Sequence, residues 1–303
     1  MKLIDLIFAA RPMLHLPIWS VYLVALFYQG EPGDIRFGWS HLLILAALSL
    51  MASGAYYFNQ VFDYESDRIN RKLGFLQRNL LTKRELIVVG IAVSAAALIS
   101  SLFHSSLVTV IFMQLILLSY AYSSPPLRLK DRPLAGLLAN AYSFGILVPF
   151  TLVSEWSLSG LRRFGHQEAL YFFLAVAAIH LLTTIPDRAG DKAVDKRTTA
   201  VILSPVTVKL LAMLLTALAG LAGLAAGRYA LVGLAVVSIL PVPVTLLVQS
   251  SRWELLAAKL PVLLLTLLAG YAYPGYLLFI VVLLVSCRIY YRKRFNMVYP
   301  KLT

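Results

Sequence analysis

Charge is the first thing this 303-residue chain lacks. Only 14% of its residues are Asp, Glu, Lys or Arg, against about 25% in ordinary soluble domains. With 60% hydrophobic residues and a mean hydropathy of +0.79, the composition excludes a soluble globular enzyme. A lone cysteine, Cys287, excludes an internal disulfide and a cysteine-based metal site. The five histidines, at 15, 41, 104, 166 and 180, show no metal spacing. The alternation of a porin strand is missing, which excludes a β-barrel. There is no Gly-rich phosphate loop, zinc pattern or Ser-His-Asp set. Met1–Ala10 has no apolar core with a small-residue cleavage site, so no cleavable signal peptide is expected.

What is present is a series of long apolar runs. A membrane-crossing helix needs about 20 of them in a row. Such runs fall at 12–30, 41–64, 84–102, 105–123, 133–153, 168–186, 205–226, 229–249, 254–270 and 272–291. The ninth is short and carries Lys259 and Pro261, which makes it the weakest. Lipid leaves an open backbone unsatisfied, so every run is expected to be helical. The fold class is therefore all-α: a polytopic membrane bundle, read as one domain over 1–303.

The net charge of +13 follows from topology rather than from nucleic-acid binding. With the N-terminus in the cytoplasm, all 27 Lys and Arg fall on the inner side except Arg36, Arg162, Arg163 and Arg228. This asymmetry orients the protein in the cell membrane with its charged loops inward. Those loops, 65–83, 124–132 and 187–204, place function at the cytoplasmic face.

Acidic residues are few, and two groups of them are periodic. Asn59, Asp63 and Asp67 are spaced i, i+4, i+8 at the end of the second run. Asp187, Asp191 and Asp195 repeat that spacing at the end of the sixth. On a helix each set stacks along one face. Carboxylates at a membrane edge are costly unless paired or bound, and oxygen ligands of this kind suit Mg²⁺. Basic residues surround both columns: Arg68, Arg71, Lys72 and Arg78 after the first, Lys192, Lys196 and Arg197 after the second. Carboxylate columns with nearby cations are suited to a metal-bound diphosphate, and to its departure as a leaving group. An allylic cation left behind needs a dry, electron-rich enclosure. Tyr56, Tyr57, Phe58, Tyr120, Tyr122, Tyr142 and Phe144 are the candidates, Tyr56 foremost, one turn before Asn59. Asn140 and Ser143 could orient an acceptor. Lys130 could serve as its base if burial lowers its pKa.

At these residues the chain resembles the UbiA superfamily of intramembrane prenyltransferases. Asn59, Asp63 and Asp67 fit its N-x-x-x-D-x-x-x-D motif. Asp187 and Asp191, followed by Asp195-Lys196-Arg197-Thr198, fit its second motif. Arg11-Pro12 and Tyr122-Ser123-Ser124-Pro125-Pro126-Leu127-Arg128-Leu129-Lys130 match two further segments. The resemblance implies nine helices around a central cavity, with a prenyl diphosphate head bound by two Mg²⁺ between the columns. It implies one metal site at Asn59, Asp63 and Asp67 and another at Asp187 and Asp191. Arg68, Arg71, Arg78, Lys130 and Lys196 would contact diphosphate. The acceptor would be an aromatic compound or a lipid.

Three features depart from the family. Arg78-Asn79-Leu80 stands where R-P-L is usual. Asp195 stands where Gly is common, adding a candidate ligand. The C-terminal run with Tyr290-Tyr291-Arg292-Lys293-Arg294 is a tenth span beyond nine. A cation-coupled transporter using the same acids is the alternative. Internal repeats and midplane binding would mark it, and here the acids sit at span ends.

Overall fold

The computed structural model describes residues 1–29, 37–69, 74–153, 166–248 and 250–300, with only the backbone of His166 and Gln167. Arg36, Arg71, Lys72, Arg162 and Arg163 lie outside the described residues.

Every expected run is a helix, and no strand occurs among the described residues. The first span is broken. Helix α1 (Lys2–Ala9) meets α2 (Leu16–Gln29) through a 3₁₀ turn at Pro12–His15. Helix α3 (Trp39–Phe62) opens the first acidic column with Asn59 and continues into the short α4 (Tyr64–Ile69), which carries Asp67. Next come α5 (Lys83–Ser101) and α6 (Ser106–Ser123), started by side-chain caps from Thr82 and Ser105. Such caps satisfy the free N–H groups of a first turn. Helix α7 (Pro133–Phe150) begins on a proline and contains a π turn over Ser143–Leu147. Helix α8 (His166–Thr184) leads to two short helices, α9 (Arg188–Ala193) and α10 (Thr199–Ile202). Four long helices complete the chain: α11 (Pro205–Ala225), α12 (Tyr229–Leu247), α13 (Ser251–Ala272) and α14 (Pro274–Phe295).

Among the described residues nine helices are long and apolar enough to cross a membrane, and α8 adds a shorter apolar stretch, Glu168–Thr184. The weakest expected span, 254–270, is the 22-residue α13, with Pro261 inside it. Leu214, Leu221, Leu278, Val282 and Ile289 point outward from α11 and α14, as lipid-facing surface should.

Apolar side chains are as well solvated by lipid tails as by one another, so close backbone contact must hold the helices together. Small residues supply it. A Cβ on Gly54 of α3 would collide with Ser94 of α5, and those two helices run in contact. A Cβ on Gly145 would sit 2.5 Å from the Phe173 Cα of α8. The largest core cluster, with Tyr22, Leu48, Phe112, Phe172 and Leu231, fills the bundle interior. A second cluster, with Phe75, Leu86, Tyr291 and Phe295, lies where α1, the loop after α4 and the end of α14 meet.

Gly145 stands in the π turn at the α7–α8 crossing, where neither backbone has room to move. Gly145→Ala should destabilise the bundle by about 1–3 kcal/mol, the usual cost of overpacking. Thermal unfolding in detergent would show it; an unchanged midpoint would contradict the close approach.

Candidate active site

The first acidic column keeps its helical phase although α3 ends within it. The Asp63 N–H donates to the Asn59 carbonyl and the Asp67 N–H to that of Asp63, both at 2.8 Å. Asn59, Asp63 and Asp67 therefore share one face across the α3–α4 joint. Asp63 and Asp67 are both buried.

Two lysines from separate loops converge on this face. Lys130, on the 3₁₀ turn Leu129–Asp131, donates to Asn59 Oδ1 at 2.7 Å and pairs with Asp63 Oδ1 at 2.8 Å. Lys196, just past α9, donates to the same Asp63 oxygen at 2.8 Å and to Ser66 Oγ at 2.9 Å. Its ammonium is also 3.5 Å from Asp191 Oδ1 and 3.8 Å from Asp131 Oδ1. Lys196 thus ties the two acidic walls together. Burial alone would raise the Asp63 pKa; Lys130 and Lys196 outweigh it and hold the carboxyl down at about 2. Burial pushes Lys130 below the usual lysine value, because Asp63 offsets its lost hydration only in part. Burial acts on Lys196 too, but three carboxylates turn its shift upward. Arg11 reaches in from the N-terminal segment, with Nη2 3.1 Å from Asp67 Oδ2.

The second wall differs from its expected register. Asp187 stands at the N-cap position of α9 without a side-chain cap bond, and the Asp191 N–H donates to its carbonyl at 2.9 Å. The helix then ends at Ala193, so Asp195 does not stack on Asp187 and Asp191. Instead the Lys196 N–H bonds the Asp191 carbonyl and the Asp195 N–H that of Lys192, a Schellman closure. Asp195 takes the left-handed seat of that closure at φ 56 and is exposed. Glycine fills such a seat at least cost, which accounts physically for the family's preference there.

The site opens two ways. Toward the bundle interior a cavity of about 100 Å³ lies between α3, α6 and α7, lined by Tyr56, Asn59, Tyr122, Asn140, Ser143 and Phe144 with Met51, Leu115 and Leu118. Tyr56 donates to the Leu14 carbonyl at 2.8 Å, and Tyr122 is hydrogen-bonded to Asn140. Toward the polar edge a cleft of about 710 Å³ is lined by Ser66, Arg128, Asp131, Arg132, Asp195, Lys196 and Arg197.

Some expected residues are elsewhere. Arg68 is exposed and pairs within α4 with Glu65 at 3.0 Å, at the edge of the polar cleft. Arg78 lies over the Phe295 ring at 4.8 Å and bonds the Phe295 carbonyl. Of the aromatic candidates Tyr56, Tyr122 and Phe144 line the cavity. Tyr57 instead bonds the Leu6 carbonyl, Phe58 packs on Tyr120, and Tyr142 bonds Gln114. Sequence reasoning gave Arg11 no more than a place in a matching dipeptide and passed over Ser66 and Asp131. Ser66 is three residues beyond Asp63 and Asp131 adjoins Lys130, but neither stands in a periodic column.

The donor set fits Mg²⁺. Among the described residues no three His, Cys, Asp or Glu side chains form a ready-made cage. Mg²⁺ rarely takes one; it binds through one or two carboxylates and completes its shell with phosphate oxygens and water. Each wall offers two carboxylates, at Asp63 and Asp67 and at Asp187 and Asp191. Three buried side-chain atoms without a hydrogen-bond partner, on Ser124, Arg188 and Thr198, also belong to the segments carrying Lys130 and the second wall. Buried polar atoms left this way are costly, and a charged ligand could satisfy them.

Comparison with known proteins bears on the fold and the family. A digeranylgeranylglyceryl phosphate synthase from Thermococcus sibiricus is 30% identical over 161 residues, 53% of this chain and 55% of that protein. The match thus spans about half the length of that curated relative. A UbiA homologue from Archaeoglobus fulgidus, solved with DMAPP and Mg²⁺, superposes with a TM-score of 0.68 at 19% identity, over 89% of this chain and 98% of that one. An apo UbiA homologue from Aeropyrum pernix gives a TM-score of 0.65 at 15% identity, over 85% and 95%. Residues 18–259 match the UbiA prenyltransferase family, and the chain belongs to that family.

Proposed function

We propose that the protein transfers a prenyl group from a prenyl diphosphate to a hydrophobic acceptor within the membrane and releases diphosphate. One observation carries this reading: two lysines and two carboxylate walls meet at the polar mouth of an apolar, aromatic-lined cavity. The Archaeoglobus homologue's bound DMAPP and Mg²⁺ support it.

The residues divide the work. Asn59, Asp63 and Asp67 would hold one Mg²⁺ and Asp187 and Asp191 a second. Bound there, the ions supply Lewis-acid stabilisation of the diphosphate as its charge develops. Lys130 and Lys196 offer ammonium donors to the same diphosphate oxygens. The allylic C–O bond breaks with its electron pair going to diphosphate. Tyr56, Tyr122 and Phe144 face the cationic carbon with their rings. An electron-rich carbon or a hydroxyl oxygen of the acceptor forms the new bond and gives up its proton to the departing diphosphate. Lys130 serves in this account as a donor rather than as the base, since its ammonium already donates to Asn59 and pairs with Asp63.

For the acceptor we favour a lipid with a phosphate head. The polar cleft beside Lys196 gathers Arg128, Arg132 and Arg197, and the similar Thermococcus protein is named for a glyceryl phosphate product. The charge asymmetry of the loops supports a cytoplasm-facing site in the cell membrane.

Purified protein given radiolabelled prenyl diphosphates and a panel of acceptors should release diphosphate in the presence of Mg²⁺. Its prenylated product, identified by mass spectrometry, should carry phosphate. Asp63→Ala should lower kcat by at least about 10²-fold, as expected when a stabilising group is lost from developing charge. Ion flux without turnover would instead identify a transporter. Asp195→Gly should keep full activity and gain up to about 1 kcal/mol of stability by relieving the left-handed seat. A loss of activity in that variant, measured with saturating donor, would return Asp195 to the metal site.

A further inference from the structure

Arg11 holds its place on Asp67 under strain. It is a non-glycine residue at φ 54, a conformation that persists only where the surroundings enforce it. Part of that enforcement comes from α3. The Tyr57 hydroxyl donates to the Leu6 carbonyl at 2.8 Å and Gln60 Nε2 to the Ala9 carbonyl at 2.7 Å. The rest comes from the opposite end of the chain. Asp5, 2% exposed, receives the Tyr290 hydroxyl at 2.5 Å and a fork from Arg294, Nε at 3.0 Å and Nη2 at 2.8 Å. The Phe8 ring stacks on Tyr290 with centroids 3.8 Å apart, and the Tyr291 hydroxyl donates to the Phe8 carbonyl at 3.0 Å.

The same end of α14 also grips the loop that follows the first acidic wall. Phe75, 1% exposed, packs edge-on against Phe295, and the Arg78 guanidinium lies over the same ring. Asn79 sits at φ 54, a seat that proline, fixed near −65°, cannot take. The family's R-P-L turn is thus replaced by one that sends Arg78 to Phe295. Past the helix the chain reverses at Asn296, and the Met297 N–H bonds the Tyr291 carbonyl at 3.3 Å. Tyr299 then lies against Tyr291 at 4.6 Å and within electrostatic range of Arg11. The family match stops at residue 259, and α14 begins at 274.

We propose that the inner end of α14 is a positioning element of the donor site, with Asp5, Tyr290 and Arg294 fixing α1 so that Arg11 stays on Asp67. The bidentate fork sets orientation as well as energy, and removing Arg294 leaves a buried carboxylate with one hydroxyl partner. The α1 segment then loses its register, and Arg11 swings off Asp67. The inference rests on the reading of Asp67 as part of the donor site. None of the three residues touches the donor; they act through Arg11.

The test uses the full chain in detergent, with Arg294→Gln, Asp5→Asn, the double variant and Tyr290→Phe. Amide hydrogen exchange without substrate is read at 5–15 and 63–69, alongside kcat and KM for the donor. The expected result is faster exchange in both segments and a rise of about tenfold in donor KM, in the usual range of site-to-site coupling. The double variant should be no worse than either single one, because the two residues form one unit. If Arg294→Gln does not fold, Tyr290→Phe, which removes one hydroxyl, is read in its place. Faster exchange at 5–15 with 63–69 and donor KM unchanged would overturn the proposal, as would a lower melting temperature with both readouts at wild-type values. Coupled exchange in a wild-type protein that turns over no prenyl diphosphate would uphold the positioning and sink prenyl transfer.

Discussion

Everything at the polar end of this bundle is arranged around one buried oxygen, Asp63 Oδ1, which Lys130 and Lys196 both approach to 2.8 Å. A carboxylate taken out of water costs several kcal/mol, and only well-placed partners return it. The partners here come from two loops separated by two long helices. Burying Asp63 therefore fixes the position of both loops, and through Lys196 it fixes the distance between the acidic walls. Removing either lysine would leave a buried charge partly uncompensated, a change that typically costs 3–5 kcal/mol. The helices supply rigidity by close backbone contact at Gly54 and Gly145, so the electrostatic cluster has a stiff frame to act within.

On the proposed reading, the same cluster would let one site serve a water-soluble head and an oily tail. Asn59 belongs to both regions: its side chain accepts from Lys130 and Ser123, and it lines the apolar cavity. One turn earlier Tyr56 begins the aromatic lining; one turn later Asp63 begins the charged wall. The boundary between water and lipid is thus crossed within two helical turns of α3. Helix α7 brings Asn140, with Ser143 and Phe144 of its π turn, to the cavity from the facing side.

Much of this was legible in the sequence because its signals are periodic. Apolar runs of membrane length gave the helices, and i, i+4 spacing gave Asn59, Asp63, Asp67, Asp187 and Asp191. The periodic argument failed at Asp195, where a helix end breaks the phase and a left-handed residue turns outward. Arg68 and Arg78 looked suitable by proximity in sequence, but direction decides what a side chain reaches: Glu65 takes one and Phe295 the other. Ser66, Asp131 and the grip of Arg11 on Asp67 carry no periodic mark, since tertiary folding alone brings them in. The partnership of Asp5 with Arg294 spans nearly the whole chain, and no local pattern announces it.

The central claim is that the two walls and their lysines form a clamp for diphosphate. Diffraction from the protein with Mn²⁺ and a thiolo analogue of a prenyl diphosphate tests it most directly. The account predicts both phosphorus atoms between Asp63 and Asp191, with Lys130 and Lys196 Nζ in hydrogen-bond range of phosphate oxygens and the prenyl chain beside Tyr56 and Tyr122. A diphosphate bound elsewhere, with both lysines still on Asp63, would contradict it.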